Sequence, residues 1–165
     1  MATAAKQPVA TALEIGDKAP AFAMATDSNR QVSLSQYAGK QHVVLYFYPK
    51  DDTPGCTVEA KDFRDLADQF VTADTAIIGV SKDSPAKHDK FKEKYELNFT
   101  LASDETGDVC DAYGVWVEKN MYGKKYMGIQ RTTYLIGKDG RIAAIWPKVK
   151  IEGHAAEVLE QAKAL

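Results

Sequence analysis

The sequence predicts an α/β fold in which a central mixed β-sheet is flanked by helices. Apolar, strand-like runs alternate with stretches of helical periodicity, and two of those runs are apolar on both faces. The runs are HVVLYFY at 42–48, TAIIGVS at 75–81, NFTLAS at 98–103, RTTYLIG at 131–137 and RIAAIWP at 141–147. The first two lack the polar alternation of a half-exposed strand, which places them centrally, covered on both sides.

In chain order, FAMATDSNRQVSL at 22–34 reads as an N-terminal β-hairpin that opens the domain. After the 42–48 run, Phe63, Leu66, Ala67 and Phe70 recur at i, i+3, i+4 and i+7, an amphipathic helix over 56–70. A second helix starts at Asp83-Ser84-Pro85, with Asp83 or Ser84 as cap and Pro85 in the first turn. Phe91 and Tyr95 follow on it, four apart and so on one face. Lys138-Asp139-Gly140 separates two apolar runs and marks a hairpin. The segment GHAAEVLEQAKAL at 153–165, with Ala156, Leu159, Ala162 and Lys163 at helical spacing, should fold back onto the sheet.

A chain of 165 residues fits one domain with a real core, here 14–165, preceded by a flexible arm over 1–13. A formal charge of −2 argues against a phosphate backbone or an anionic membrane as partner. The arm lacks the apolar run of a secretory signal, and no run reaches the roughly 18 apolar residues of a spanning helix. A cytoplasmic location is expected. Cys56 and Cys110 are too few for a disulfide framework and match no zinc spacing. His42, His88 and His154 share no ligand spacing either, so neither metal nor cofactor is implied.

Cys56 stands where chemistry is favoured. Thr53 suits an N-cap, Pro54 the first helical position, and Gly55 permits close backbone approach. Cys56 then falls in the first turn, where unpaired N–H groups and the helix dipole favour a thiolate. On position alone, a reactive thiol and a small packing residue remain equally open.

Pro49, Thr53 and Cys56 form P-x-x-x-T-x-x-C directly after an apolar strand. This resembles the active-site signature of the peroxiredoxins. The fuller string YFYPKDDTPGCTVEA is similar to the bacterioferritin comigratory protein, or peroxiredoxin Q, group. The likeness extends over LASDETGDVCDAYGVW and GIQRTTYLIGKDGRI, and so covers the chain from about Gly16 onward. It implies a thioredoxin-like fold and a thiol-dependent peroxidase that reduces hydrogen peroxide and organic hydroperoxides without metal or haem. In that scheme Cys56 attacks the peroxide and becomes a sulfenic acid. Arg131 is the cation that matches the family pattern, Pro49 shields the pocket from water, and the Thr53 hydroxyl with the N–H groups of Gly55 and Cys56 supplies donors. Without the likeness, Arg131 reads sooner as an edge-strand residue facing solvent. Glu59, on the Cys56 face of the helix, either hydrogen-bonds within the pocket or is an acid favoured in the first turns.

Many members of this group carry a second cysteine five residues after the first, where this chain has Lys61, and some carry one on the next helix, where AKHDKFKEKY has none. Lys61 is either a solvated lysine or a weak support for the thiolate. Cys110 is then the sole internal candidate for a resolver, and a buried packing thiol is the favoured reading of it. The expected reductant is therefore an external thiol: thioredoxin, glutaredoxin or a small-molecule thiol. By the same likeness the chain should be a monomer or weak homodimer. Two rivals stand beside this reading: a cysteine hydrolase in which a histidine pairs with Cys56, and a non-catalytic thioredoxin-like binding module.

Overall fold

The structure is a computed structural model that describes residues 13–165. The arm expected over 1–13 lies outside those residues except for Leu13, which packs against the core. Along the chain, β1 (Ala23–Thr26) and β2 (Arg30–Ser33) form the opening hairpin, and β3 (His42–Phe47) leads into α1 (Pro54–Thr72). Then come β4 (Thr75–Ser81), α2 (Pro85–Tyr95), β5 (Thr100–Ser103) and a short α3 (Asp108–Ala112). The hairpin β6 (Trp116–Met121) and β7 (Lys124–Ile129) precedes β8 (Thr132–Ile136), β9 (Ile142–Trp146) and α4 (His154–Lys163).

The main sheet has the order β2-β1-β5-β4-β3-β8-β9. β3 pairs parallel with β4, and β4 with β5, each through a crossover helix, as parallel neighbours require. The remaining pairs are antiparallel. Both two-sided apolar runs are central, β3 between β4 and β8, and β4 between β3 and β5.

Because side chains alternate along a strand, β3 feeds two separate cores. Val43, Leu45 and Phe47 join Ile78, Val80, Tyr134 and Ile136 on one face, with Val109, Cys110 and Tyr113 from α3 and the turn after it. Val44, Tyr46 and Tyr48 join the other face, under Cys56, Phe63 and Phe70 of α1, Phe91 of α2 and Val158 of α4. The two cysteines therefore lie on opposite sides of the sheet.

Several local expectations hold and others shift. Thr53 is the N-cap of α1 and Pro54 its first residue, and the helix ends before Asp74, whose φ is 59°. Ser84 rather than Asp83 caps α2, accepting the N–H of Lys87 at 3.3 Å. Phe91 and Tyr95 meet edge to face with centroids 5.6 Å apart. On α4 the buried face is Ala155, Val158, Leu159 and Ala162, while Ala156 and Lys163 are exposed, so the expected face is rotated by one residue. Asn98 and Phe99 precede β5 rather than belonging to it. The β6–β7 hairpin is an addition to the predicted elements. Its turn places Tyr122 and Gly123 at φ 54° and 81°, the two positive values of a type I′ connection.

Phe63 is fully buried and stacks on Tyr46 at 4.7 Å between centroids. Phe63→Ala should lower the unfolding free energy by about 3–5 kcal/mol, read from urea denaturation midpoints at constant slope.

Candidate active site

The end of β3 and the start of α1 are joined by a tight loop, and its last residues deliver Cys56. Asp52 adopts a left-handed conformation at φ 60°, one that aspartate tolerates better than most residues. The Thr53 hydroxyl does not cap the helix; it donates to the Lys50 carbonyl at 3.0 Å, tying the loop across itself. Pro49 is exposed and Thr53 half-buried, whereas Cys56 is only 2% exposed.

Arg131 reaches this sulfur from the neighbouring strand. It stands one residue beyond the Phe47–Thr132 pair, and strand alternation puts it on the same face as Thr133 and Leu135, the face that α1 covers. β8 is flanked by β3 and β9, so the edge-strand reading of Arg131 does not hold. Its guanidinium makes two contacts: Nη2 donates to Cys56 Sγ at 3.3 Å, and Nη1 donates to Glu59 Oε1 at 2.5 Å. Gly55 makes room for this approach. A Cβ there would stand 3.3 Å from Arg131 Nη2 and 3.2 Å from Ile151 Cδ1, tighter than most real contacts.

Glu59 is 1% exposed, one turn after Cys56, and its second oxygen has no hydrogen-bond partner. Burial pushes its carboxyl up to about 7, against the lowering pull of Arg131. Of the two readings left open for Glu59, the structure takes the pocket one. Tyr46, packed over Gly79, also has an unpartnered hydroxyl, and burial first, then the nearby Glu59, hold its phenol well above its usual range. The amine of Lys119 on β6 is pushed down by burial first and then by the Arg131 charge.

The loop is fastened from behind. Tyr48 Oη donates to Asp51 Oδ1 at 2.5 Å, and His88 Nδ1 lies 2.6 Å from Asp51 Oδ2. The Asp51 N–H donates to Asp83 Oδ2 at 2.8 Å, and α2 grips Asp52 through Lys94 Nζ at 2.9 Å and Tyr95 Oη at 2.8 Å. No sequence motif marks His88, Tyr48 or Asp51. The usable signal is spacing: His88 precedes the buried Phe91 by three residues and so shares its face.

Cys110 belongs elsewhere. It is 0% exposed in the core on the opposite face of the sheet, its N–H donating to Asp104 Oδ2 at 2.7 Å. Burial and the Asp104 carboxylate push its thiol far up, out of the range in which it ionises near neutrality. Lys61 lies near the Tyr95 ring, 6.0 Å from its centroid, and has no contact with Cys56. The histidines bond to Lys138 N (His42), to Asp51 and the Ala102 carbonyl (His88) and to Thr133 Oγ1 (His154). None is bonded to Cys56, which leaves the hydrolase rival without its base.

Residues 15–145 match the model of the AhpC/TSA family. The chain is 55% identical over 147 residues to a protein of Coxiella burnetii named putative peroxiredoxin bcp, covering 89% of this chain and 97% of that one. It is 52% identical to peroxiredoxin Bcp of Bacillus subtilis, covering 92% and 96%. Among solved structures, peroxiredoxin Q of Xanthomonas campestris superposes with a TM-score of 0.84 at 42% identity, covering 94% and 98%. Another structure from that organism, of a bacterioferritin comigratory protein described for its alkyl peroxide reduction activity, gives the same TM-score and identity. Matched along nearly its whole length in sequence and in fold, the chain belongs to the AhpC/TSA family, among its thioredoxin-like peroxiredoxins.

Proposed function

We infer that this thiol-dependent peroxidase works through Cys56, and the observation that carries the reading is the 3.3 Å contact from Arg131 Nη2 to its sulfur in the first turn of α1. The cation and the helix terminus both stabilise a thiolate there. In the first step the thiolate attacks the terminal peroxide oxygen and the O–O bond breaks. An S–O bond forms, and the leaving alkoxide or hydroxide takes a proton to become alcohol or water. Cys56 is then a sulfenic acid, two electrons more oxidised. Arg131 stays beside the sulfur as charge moves onto the departing oxygen, with the N–H groups of Gly55 and Cys56 as further donors, while the Thr53 hydroxyl, its hydrogen given to the Lys50 carbonyl, holds the loop and can only accept. Pro49, exposed at the start of the loop that delivers Cys56, limits water in this reading. Glu59 fixes the guanidinium through its bond to Nη1.

The substrates in this reading are hydrogen peroxide and organic hydroperoxides, the latter supported by the alkyl peroxide activity of the X. campestris relative. The reductant is an external thiol, thioredoxin, glutaredoxin or a small-molecule thiol. One thiol displaces water from the sulfenic acid to give a mixed disulfide, and a second releases Cys56 as the thiol. Support comes from Cys110, which the sheet separates from Cys56, and from the lysine at position 61. The chain acts as a monomer or weak homodimer in the cytoplasm. Among the described residues no helix is long and apolar enough to cross a membrane.

Cys56→Ser should abolish peroxide turnover, while Cys110→Ser should keep most of it with an external dithiol. Intact mass after one equivalent of peroxide reads the distinction. A Cys110→Ser protein that accumulates sulfenic acid and cannot be turned over by added thiol would make Cys110 the resolver.

Glu59 sets a pH dependence of stability. Its folded value of about 7 lies above the usual 4.5, so its stabilising share is complete below pH 4.5 and lost as pH rises through 7. Relative to wild type, Glu59→Gln should gain stability over that interval by an amount on the order of 3 kcal/mol, measured by urea denaturation at pH 4.5, 6 and 8.

A further inference from the structure

We propose that His88 and Asp51 are positioning residues for the peroxide reaction: their buried pair fixes the loop that presents Cys56. The inference rests on Cys56 being the reacting sulfur. His88 has no exposed surface, although it stands in the lysine-rich helix α2, and Asp51 is 9% exposed.

Main-chain bonding alone does not define the Tyr48–Thr53 loop. The Asp51 N–H goes to the Asp83 carboxylate, the Thr53 hydroxyl to the Lys50 carbonyl, and Asp52 is left-handed. Between Pro49 and Thr53 only the Asp51 side chain is buried, and both of its oxygens are engaged. Oδ1 accepts from Tyr48 Oη at 2.5 Å and Oδ2 meets His88 Nδ1 at 2.6 Å. The other ring nitrogen of His88 lies 2.9 Å from the Ala102 carbonyl, main chain of β5.

A carbonyl only accepts, so Nε2 carries a hydrogen, and the Nδ1···Oδ2 contact holds one further proton between ring and carboxylate. The pair is neutral as a unit, with every polar atom partnered. Three elements thus converge on one loop carboxylate: the end of β3 through Tyr48, α2 through the His88 ring, and β5 through the carbonyl behind it. Five residues after Asp51 comes Cys56, whose sulfur must meet Arg131 within hydrogen-bonding distance. A loop that relaxes by about 1 Å loses that register, and losses near 10²-fold follow from displacements of that size.

Two substitutions separate the bonds of the ring. Asparagine places an N–H near Nδ1 and retains the bond to Asp51; glutamine places one near Nε2 and retains only the bond to Ala102. The readout is the second-order rate of Cys56 oxidation by hydrogen peroxide in single turnover, at a temperature where melting curves show each variant folded. His88→Gln should be slower than wild type by at least tenfold, and His88→Asn should recover to within about threefold. His88→Gln oxidised at the wild-type rate while folded would overturn the proposal, as would equal losses in the two variants. Should His88→Gln not fold, Asp51→Asn and Asp51→Ala take its place. Asn retains partners for both Tyr48 and His88, so its rate should exceed that of Ala by at least tenfold, and equal rates would overturn the proposal. If wild-type Cys56 is not oxidised at all, the reading of the site fails, and not the pair alone.

Discussion

The guanidinium of Arg131 lies between the sulfur of Cys56 and the carboxylate of Glu59, donating to both. A cation so placed is costly to take from water unless its hydrogens are used, and here the protein supplies both acceptors. The demand propagates outward. Glycine at position 55 eases the approach, because a Cβ would stand 3.3 Å from Nη2 and the guanidinium would have to give by a few tenths of an ångström. Glu59 has to be buried, although that raises its carboxyl to about 7, and β8 has to be interior so that its first residues are held rigidly beside β3. The arrangement is built before substrate arrives, which is what electrostatic stabilisation of a developing oxyanion requires.

The two-sided core has a chemical consequence. Alternation along β3 sends Val43, Leu45 and Phe47 to the face that holds Cys110, and Val44, Tyr46 and Tyr48 to the face that holds Cys56. Neither thiol reaches the other without opening the sheet that both cores stabilise. The external resolution proposed above is supported by this topology as much as by the lysine at position 61. The same geometry leaves Cys110 with a packing role in which burial and Asp104 hold its proton in place.

What was legible in the sequence was mostly periodicity. Two-sided apolar runs located β3 and β4, and Phe63, Ala67 and Phe70 gave the buried face of α1. Adjacent small residues blurred the register of α4, since Ala155 and Ala156 differ in burial and not in type. The β6–β7 hairpin escaped because its strands are largely exposed and charged, with Tyr-Gly at the turn in place of the commoner Asn-Gly. In the site, cap chemistry and the helix terminus marked Cys56 as a candidate but left a packing role equally open, and the P-x-x-x-T-x-x-C resemblance decided between them. The pairing with Arg131, 75 residues away, came only from resemblance, because no local pattern encodes a contact across two strands. His88 was hidden for a different reason: in a segment of lysines and acids, composition indicates a solvated face, and only the phase of Phe91 shows which side is buried.

The Arg131–Cys56 contact is tested most directly by the stopped-flow rate of a single oxidation of reduced Arg131→Gln protein by hydrogen peroxide. Glutamine keeps a hydrogen-bonding group near the sulfur and removes the charge, so the second-order rate constant should fall by roughly 10²–10³-fold, the scale of losing one preorganised donor. A rate within threefold of wild type, with Cys56 still the atom oxidised, would contradict it.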